Sequence, residues 1–241
     1  MKLIKNAYYK LGGKKGSFLQ KRWSNFCKKR ILHRKIKAIR NNGLDLLNSF
    51  QCVCNNKGVK GWPEFGTLLG AYREKSFIPY DYDIDIGMFS DDYNLDFEKD
   101  LLLAGFVKKR EYFLIAKEHN QSTLTEVCYE YKGIIVDLFL SIRDNNIRKT
   151  YVYTDEIENY TDKIKKRKVK YFSFDMAESF DVVTINGISF SGPGNTCKLL
   201  KQIYGDDFMQ PQSNWIPDPQ KQKVTYLDSE LYYGECHIIS D

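Results

Sequence analysis

Three aspartates at alternate positions form the chemically most distinctive pattern in the sequence. Asp81, Asp83 and Asp85 lie within residues 65–93, which read FGTLLGAYREKSFIPYDYDIDIGMFSDDY. Side chains two residues apart on a β-strand point to the same face, so the three carboxylates would share one face with Gly87. The opposite face would carry Tyr82, Ile84, Ile86 and Met88. Carboxylates this close repel one another unless a positive group lies against them. A divalent cation carrying a phosphate-bearing substrate meets this need, because Mg²⁺ prefers carboxylate and phosphate oxygens.

A fourth aspartate, Asp137, interrupts the otherwise apolar run IIVDLFL at residues 134–140. An ionised carboxylate is costly to bury without a partner. Asp137 therefore lies either at the solvent end of a strand or against a cation or metal. The turn pair Lys132-Gly133 predicts a hairpin between this strand and another at 123–131. That hairpin would set Asp137 beside the sheet, where it could join the aspartate row.

The residues before the aspartates predict a phosphate-binding turn. Thr67 is a candidate N-cap for a short helix over residues 68–74, and Gly66 allows the backbone to approach a ligand closely. A helix N-terminus favours phosphate because its free N–H groups and its dipole attract negative charge. Arg73 could bind phosphate oxygens through two parallel hydrogen bonds; alternatively, it forms a surface ion pair with a local acid. Pro79 then prevents the helix from continuing.

Further elements are predicted around these residues. A helix over residues 92–104 would follow the aspartate strand. Asn186-Gly187 predicts a hairpin, and a helix capped by Asn195 or Thr196 would end at Gly205. Additional short strands are predicted at 106–109, 112–116, 123–131 and 134–140.

The charged stretch 144–171 has two interpretations. It contains a cluster of basic residues, Lys165, Lys166, Arg167, Lys168 and Lys170. The first interpretation is a solvated surface, which is the usual place for a run of charge. The second is a basic rim that contacts a polyanionic acceptor.

Basic residues are distributed unevenly along the chain. Residues 1–44 contain fourteen Lys and Arg and no acid, whereas the remainder has twenty-three basic and thirty-one acidic residues. We therefore expect a basic helical arm, 1–44, and a body, 45–241, with Asn41-Asn42-Gly43 as a candidate break in the helix. The arm could pack on the body with its lysines in solvent. Alternatively, residues 1–40 could contact an anionic membrane surface. Nucleic acid is not expected, because no recognition motif accompanies the charge.

The overall composition is that of a folded protein. The 241 residues are 42% hydrophobic and 15% aromatic, which is sufficient for a full core. No apolar stretch approaches the length needed to span a bilayer, and the N-terminus lacks the apolar run of a secretory signal. We therefore expect a cytoplasmic location, with a peripheral contact at the inner face of the membrane as an option. The six scattered cysteines indicate reduced thiols, and Cys52 and Cys54 lack the second Cys/His pair of a structural zinc site.

Three blocks of the sequence carry a family resemblance. They are residues 65–93 (above), residues 133–139 (GIIVDLF) and residues 186–211 (NGISFSGPGNTCKLLKQIYGDDFMQP). Together they resemble the LicD/fukutin family of phosphotransferases. That family usually has Trp where this chain has Tyr80, and an acid where it has Tyr82. The resemblance implies an α+β nucleotidyltransferase (polymerase-β-like) fold, with a mixed or antiparallel sheet flanked by helices.

The resemblance also implies an activity. It is the transfer of a substituted phosphate, such as phosphocholine, ribitol phosphate or glycerol phosphate, from a CDP-linked donor to a hydroxyl of a cell-surface glycan, as in lipopolysaccharide or capsule biosynthesis. CMP would be released, and Mg²⁺ or Mn²⁺ would be the cofactor. Asp83 and Asp85 would bind the metal, and Asp137 would be a second metal ligand or the base for the acceptor hydroxyl. The substrate would be held by Gly66, Thr67, Arg73, Tyr80 and Asp81.

Two other functions fit the same residues. A nucleotidyltransferase would move NMP from an NTP to a small phosphate or a protein, and would release pyrophosphate instead of CMP. A non-catalytic metal- or nucleotide-binding protein would use the aspartates to hold structural Ca²⁺. A fold alone does not choose between such functions, so the chemistry of the site must decide.

Overall fold

The computed structural model describes residues 17–159, 161–177, 179–212 and 222–240. In that part of the chain the helices are α1 (Phe18–Lys57), α2 (Phe65–Arg73), α3 (Leu95–Leu103) and α4 (Thr196–Tyr204). The strands are β1 (Gly61–Pro63), β2 (Asp83–Phe89), β3 (Val107–Ala116), β4 (Gln121–Tyr131), β5 (Ile134–Asp144), β6 (Ile147–Asn159), β7 (Ile164–Asp175), β8 (Asp181–Ile185), β9 (Ile188–Gly192), β10 (Val224–Tyr226) and β11 (Tyr232–Ile238). The sequence predicts a flexible stretch over 1–17 and an extended tail after Asp206; of these, 1–16 and 213–221 lie outside the described residues.

Six of the described strands form a closed antiparallel barrel. Their order is β5, β4, β3, β11, β7 and β6, and β6 pairs again with β5. β10 pairs with β7 beyond the end of β11, and β8 and β9 form a separate hairpin. Closure gives the strands of the ring partners on both sides, so their backbone groups are paired rather than exposed at an edge.

The predicted fold class is wrong. The sequence indicated an α+β nucleotidyltransferase (polymerase-β-like) fold with a sheet flanked by helices, but the main sheet closes on itself and carries few helices. The cause lies in β6 and β7, two long strands that cover most of the charged stretch 144–171 and continue to Asp175. Long basic side chains can lay their aliphatic stems on a strand and keep the charge in solvent. The alternation that identifies a strand is obscured as a result, although β7 buries Val169, Phe172 and Phe174.

The barrel opens where β2 pairs with β5. Two partners share one edge of β5: residues 135–141 pair in parallel with β2, and residues 142–144 pair with β6. β1 adds to the outer edge of β2. β5 therefore separates from β6 along most of its length, and the aspartate row of β2 lies beside this gap.

The apolar core covers the other face of β2 and β5. Ile84, Ile86 and Met88 are at most 1% exposed, which confirms the predicted alternation. They belong to one cluster with Leu46, Leu47 and Phe50 of α1 and with Val136, Leu138 and Leu140 of β5. Burying each such side chain contributes about 1.5–3 kcal/mol. Tyr82 is the exception to the prediction, because it precedes the strand and is exposed.

Helix α1 is continuous over 40 residues, so the predicted break at Asn41-Asn42-Gly43 is wrong. Tertiary packing overrides the weak helix propensity here, because a methyl group on Gly43 would lie 2.8 Å from the ring of Phe77. The helix packs on the body through its second half, from the buried Ile39 onward. None of the described helices is long and apolar enough to cross a membrane. The division into a domain 1–44 and a domain 45–241 stays a prediction.

Local turn chemistry is predicted well. Lys132 and Gly133 have φ of 47° and 82°, and Asn186 and Gly187 have φ of 50° and 82°, as a two-residue hairpin with two left-handed positions requires. Both predicted hairpins are confirmed. The helix predicted before Gly205 is confirmed as α4.

Candidate active site

Four aspartates meet where β2 runs beside β5. Asp83 and Asp85 lie on one face of β2, and Asp81 lies two residues before the first residue of the strand. In the parallel register of the two strands, Asp85 stands opposite Asp137. Neighbouring strands are about 4.8 Å apart, so these two side chains project from adjacent backbones on the same face. The structure therefore places Asp137 beside the row, as the predicted hairpin required.

Helix α2 holds Asp85 from the other side. The Gly66 amide donates a hydrogen bond to Asp85 Oδ2 (3.0 Å), and the Asp85 amide donates to Thr67 Oγ1 (2.9 Å). Thr67 is therefore not the helix N-cap that the sequence predicts; the N-cap is Glu64, three residues earlier, and α2 begins at Phe65. The hydroxyl of Thr67 instead fixes the strand to the helix.

Residue 66 must be glycine because two carboxylates lie close to its backbone. A methyl group at this position would lie 2.9 Å from Asp81 Oδ2 and 3.4 Å from Asp85 Oδ2. The first of these distances is too short for a carbon–oxygen contact. The sequence assigned the close approach at Gly66 to a ligand, whereas the groups that approach it in the structure are carboxylates.

Burial raises the pKa of all four aspartates, and repulsion from neighbouring carboxylates adds to the shift for Asp81, Asp85 and Asp137. Burial, followed by the negative charges of Asp83 and Asp137, raises the pKa of Asp85 well above its usual range. Burial and the neighbouring Asp83 raise the pKa of Asp81 to about 7. Burial and Asp83 likewise raise the pKa of Asp137 to about 6. Burial raises the pKa of Asp83, although a hydrogen bond with Asp81 and the charge of Lys35 oppose this.

Three ionisable groups near the aspartates were not predicted from the sequence. Lys35 of α1 lowers the pKa of Asp83 and Asp137, and Arg110 of β3 lowers that of Asp137. Glu126 of β4 is buried near Asp137, and burial followed by the charge of Asp137 raises its pKa well above the usual range. Lys35 gives no signal in a lysine-rich helix, because only the packing of α1 shows which lysine reaches the site.

A cavity of about 490 Å³ lies against the aspartates. Five of the predicted substrate or metal residues line it, namely Gly66, Arg73, Tyr80, Asp81 and Asp85. Asp83 and Asp137 stand next to Asp85 and outside the lining. The opposite wall is formed by Val152 of β6 and by Lys170 and Phe172 of β7. The cavity thus occupies the gap where β5 separates from β6.

Arg73 forms a local pair yet lies in the cavity wall. Its Nε donates to Glu74 Oε1 (2.8 Å), and its Nη1 donates to the Phe208 carbonyl (3.2 Å). This is the local ion pair that the sequence left open as the alternative. The side chain is nevertheless only 7% exposed, so two of its donor groups are fixed by the protein.

Tyr80, Tyr82 and Tyr204 line the cavity beside the aspartates. The Tyr80 hydroxyl donates to the Gln212 carbonyl (3.3 Å). Tyr204 ends α4 and lines the cavity, and its pKa is raised by burial and by the charges of Asp85 and Asp81. Tyr204 lies in residues 186–211, which resemble the family, but the sequence alone assigns it no role.

The chemistry of the donor set fits a hard divalent cation. Carboxylate oxygens are its preferred protein ligands, and Mg²⁺ is usually held by one or two carboxylates together with substrate phosphates. Within the described residues, no three His, Cys, Asp or Glu side chains already stand in a ligating arrangement. The fit therefore rests on four clustered carboxylates whose mutual repulsion a cation would relieve, with Asp83, Asp85 and Asp137 as the candidate ligands.

Comparisons with known proteins cover the central part of the chain. The family model described as "LicD/FKTN/FKRP, nucleotidyltransferase domain" matches residues 58–195, more than half of the chain. The lipopolysaccharide cholinephosphotransferase LicD of Haemophilus influenzae is 29% identical over 115 residues, covering 46% of this chain and 39% of that protein. The human ribitol-5-phosphate transferase FKTN is 36% identical over 75 residues, covering 31% of this chain and 16% of that protein. The chain therefore spans well under half the length of these relatives.

Proposed function

The chain belongs to the LicD/FKTN/FKRP family, and we propose that it transfers a substituted phosphate from a CDP-linked donor to a hydroxyl of a cell-surface glycan. The names of its relatives describe phosphotransferases that move phosphocholine or ribitol phosphate. The observation that carries the proposal for this chain is the cluster of Asp81, Asp83, Asp85 and Asp137 beside a cavity. Phosphoryl-type transfer requires positioning and neutralisation of charge more than covalent chemistry.

Asp83, Asp85 and Asp137 would hold Mg²⁺ or Mn²⁺. When bound, such an ion neutralises phosphate oxygens and stabilises charge on the attacking and leaving oxygens. The protein's own contribution is to fix Asp85 through the Gly66 amide and the Thr67 hydroxyl. This fixed geometry limits the reorganisation needed when substrate arrives.

Asp137 is suited to accept the proton of the acceptor hydroxyl. Its pKa of about 6 leaves it mostly ionised at neutral pH, yet more basic than an ordinary aspartate. A general base works best when its pKa lies near the working pH, and contributes about 10²–10⁴-fold to the rate. Metal ligation and proton acceptance are alternative roles for this side chain.

The donor would lie in the cavity with its diphosphate near Gly66 and Arg73, which line it. Thr67, the third residue expected there, lies behind this wall and would act only through its hydrogen bond with the Asp85 amide. The cavity volume of about 490 Å³ is within the range of small-molecule sites. Arg73 supplies positive charge to the wall that also carries Asp81 and Asp85. Tyr80 and Asp81 lie at the same wall, where they would contact the substrate.

Product analysis tests the proposal. Purified protein with Mg²⁺ is incubated with CDP-choline, CDP-ribitol or CDP-glycerol and a glycan acceptor, and CMP is quantified. We expect CMP from at least one donor, with incorporation of the alcohol phosphate into the glycan. Pyrophosphate from an NTP would indicate a nucleotidyltransferase instead. Binding of metal or nucleotide without turnover of any donor would indicate a non-catalytic binding protein.

We also propose that the first half of α1 contacts an anionic membrane surface. Phe18, Trp23 and Phe26 are 74%, 44% and 50% exposed, on a helix segment that carries no acid before Asp45. Apolar side chains insert at the acyl boundary, while each basic residue near an anionic surface adds about 1 kcal/mol.

Vesicle co-sedimentation tests the membrane contact. We expect the protein to bind vesicles that contain roughly 30% anionic phosphatidylglycerol. The double variant Trp23→Ala with Phe26→Ala should bind them more weakly. The control is Leu95→Ala, which removes an 86% exposed apolar side chain from α3. Equal sedimentation of both variants and the wild type would refute the contact.

A further inference from the structure

The cavity wall opposite the aspartates contains a buried lysine. Lys170 of β7 is 7% exposed and lines the cavity. Burial lowers its pKa, and no charged group in the described part of the chain offsets this. Its ammonium lies 5.9 Å from the ring centroid of Phe172 and 5.8 Å from that of Tyr226. Burying a cation without a carboxylate partner is costly, so an anion from outside would stabilise this side chain.

A second polar side chain on the same wall also lacks a partner. Gln222 is 7% exposed and lines the cavity, and its Oε1 accepts no hydrogen bond from the described residues. Buried amide oxygens are normally satisfied, and one that is not calls for an explanation such as a ligand. Gln222 could receive a hydroxyl donor that enters the cavity.

Phe172 links this wall to the aspartate side. Lys170 and Phe172 are two residues apart on β7, which is about 6.6 Å along a strand. The Phe172 ring lies 5.6 Å from the ring of Phe65, the residue before Gly66. The buried cation and the carboxylates of Asp81 and Asp85 therefore line the same cavity.

We propose that Lys170 and Gln222 form a subsite for the alcohol-phosphate half of the donor, in which Lys170 binds the phosphate on the alcohol side and Gln222 accepts a hydrogen bond from a neighbouring hydroxyl, while the nucleoside-side phosphate lies toward Gly66 and Arg73. The inference rests on the proposed function, because it assigns the cavity to a phosphate-bearing substrate. The shared chemistry could come from a free alcohol phosphate or from the diphosphate of a nucleotide. We assign it to the alcohol phosphate, because the Gln222 Oε1 atom lacks a hydrogen-bond donor among the described residues. A polyol carries hydroxyl donors beside its phosphate, whereas an ionised diphosphate carries none.

The subsite favours a polyol phosphate over phosphocholine. Glycerol and ribitol phosphates present hydroxyls to Gln222 and carry only negative charge. Phosphocholine places a quaternary ammonium where Lys170 would repel it, and like charges near each other in a partly dry site cost more than in water. The substrate class of the proposed reaction is thereby narrowed to a polyol phosphate.

Binding without turnover tests the subsite. The full chain in EDTA is titrated by calorimetry with sn-glycerol 3-phosphate, phosphocholine, inorganic phosphate and CDP, and thermal unfolding is followed in parallel. We expect the wild type to bind glycerol 3-phosphate more tightly than phosphocholine. Lys170→Met should lower the affinity for glycerol 3-phosphate about 10-fold or more, because a hydrogen bond to a charged group is lost. Gln222→Leu should lower the affinity for glycerol 3-phosphate and leave the affinity for inorganic phosphate unchanged.

Two comparisons separate ligand binding from a structural role. Lys168→Met removes an exposed lysine from the same strand and should change no affinity. Unliganded Lys170→Met should be at least as stable as the wild type, because replacing a buried charge by an apolar side chain is often stabilising. The proposal is overturned if Lys170→Met keeps its affinity for glycerol 3-phosphate, if only CDP is affected, or if the variant unfolds at lower temperature without ligand. Metal-dependent CMP release does not enter this test, so failure of the proposed function would be seen separately.

Discussion

Asp85 is the residue on which the candidate site depends. It receives the Gly66 amide, stands opposite Asp137 and has negative neighbours at Asp81 and Asp83. One amide donor cannot offset the burial of such a charge, as the upward shift of its pKa shows. A bound cation would allow Asp85 to ionise, which links metal affinity directly to this side chain.

Replacing Asp85 should remove the metal site without unfolding the protein. Asparagine keeps the shape of the side chain and removes its charge, so we expect Mn²⁺ affinity to fall by about 10²-fold or more, by analogy with loss of one preorganised charged group. Calorimetric titration with Mn²⁺ measures this. Asp91→Asn is the control, because Asp91 is 69% exposed and pairs with Arg143 on the surface. Equal affinity in the two variants would show that Asp85 does not bind the metal.

The raised pKa of Asp137 predicts how stability depends on pH. Its folded value of about 6 exceeds the ordinary value of 3.8, so the native state holds a proton that the unfolded state has already released. The resulting stabilisation is present below about pH 4 and is lost as the pH rises through about 6. Asp137→Asn should therefore be more stable than the wild type at about pH 8 in EDTA and similar to it at about pH 4. Urea unfolding at both pH values measures this. If Asp137→Asn is less stable than the wild type by the same amount at about pH 4 and about pH 8, the raised pKa of Asp137 is contradicted.

The sequence identified residues whose spacing or isolation is informative. The alternation of Asp81, Asp83 and Asp85 and the lone Asp137 in an apolar strand were visible because their charge is unusual for those positions. Glu126 was not identified, and Lys170 was identified only as one of a basic cluster, because the sequence around a charged residue does not reveal that its side chain is buried. Their burial depends on strands that pair across the barrel.

At the scale of elements, α2 and β2 act as one unit. The Thr67 hydroxyl accepts from the Asp85 amide, and the Glu64 amide donates to the Asp85 carbonyl (3.0 Å). These bonds fix the start of the helix against the strand. The sequence predicted that a helix and a strand adjoin here, but it assigned Thr67 to capping because a local hydrogen bond is the default for threonine at a helix start.

Loss of the Thr67 hydroxyl should loosen this unit. Thr67→Val keeps the shape of the side chain and leaves the Asp85 amide without a partner, which costs about 1–3 kcal/mol for a buried donor. We expect that decrease in the free energy of unfolding together with weaker Mn²⁺ binding. Thr67→Ser retains the hydroxyl and should preserve the metal affinity. If valine and serine behave alike in both measurements, the hydrogen bond does not position Asp85.

At the scale of the whole molecule, a buried ion pair joins β1 and α2 to the barrel. Arg148 of β6 binds Glu64 through both guanidinium nitrogens (2.8 and 3.1 Å). Glu64 also accepts from the Trp62 indole (2.7 Å), and Arg148 donates to Ser141 of β5 (3.1 Å). Both charged side chains are at most 5% exposed. The pair lies where β5 changes partner from β2 to β6, so it closes one end of the gap that forms the cavity.

Breaking this pair should destabilise the protein strongly. Arg148→Met leaves the Glu64 charge buried and uncompensated, which costs about 3–5 kcal/mol. Arg143→Met, which breaks a surface pair, should cost about 0–1 kcal/mol. Denaturant unfolding measures both, and the double variant Glu64→Gln with Arg148→Met should lose less than the sum of the single changes. A loss below about 1 kcal/mol for Arg148→Met would contradict the assigned role.

The global fold could not be derived from local signals. Turn residues such as Lys132-Gly133 and Asn186-Gly187 predicted individual hairpins, because two-residue turns have strict backbone requirements. Closure of the barrel depends on β11 and on the charged strands β6 and β7, which pair with distant parts of the chain. Non-local pairing leaves little trace in a short window of sequence, and the resemblance to a family pointed to a different sheet.

The most direct test of the proposed function is metal-dependent release of CMP. Wild type, Asp85→Asn and Asp91→Asn are compared with CDP-choline, CDP-ribitol and CDP-glycerol in Mg²⁺ and in EDTA, with a glycan acceptor present. We predict CMP release by the wild type and Asp91→Asn in Mg²⁺, none above background in EDTA, and a loss of about 10²-fold or more in Asp85→Asn. Full activity of Asp85→Asn, or equal CMP release in EDTA and Mg²⁺, would contradict a cation held by the aspartates.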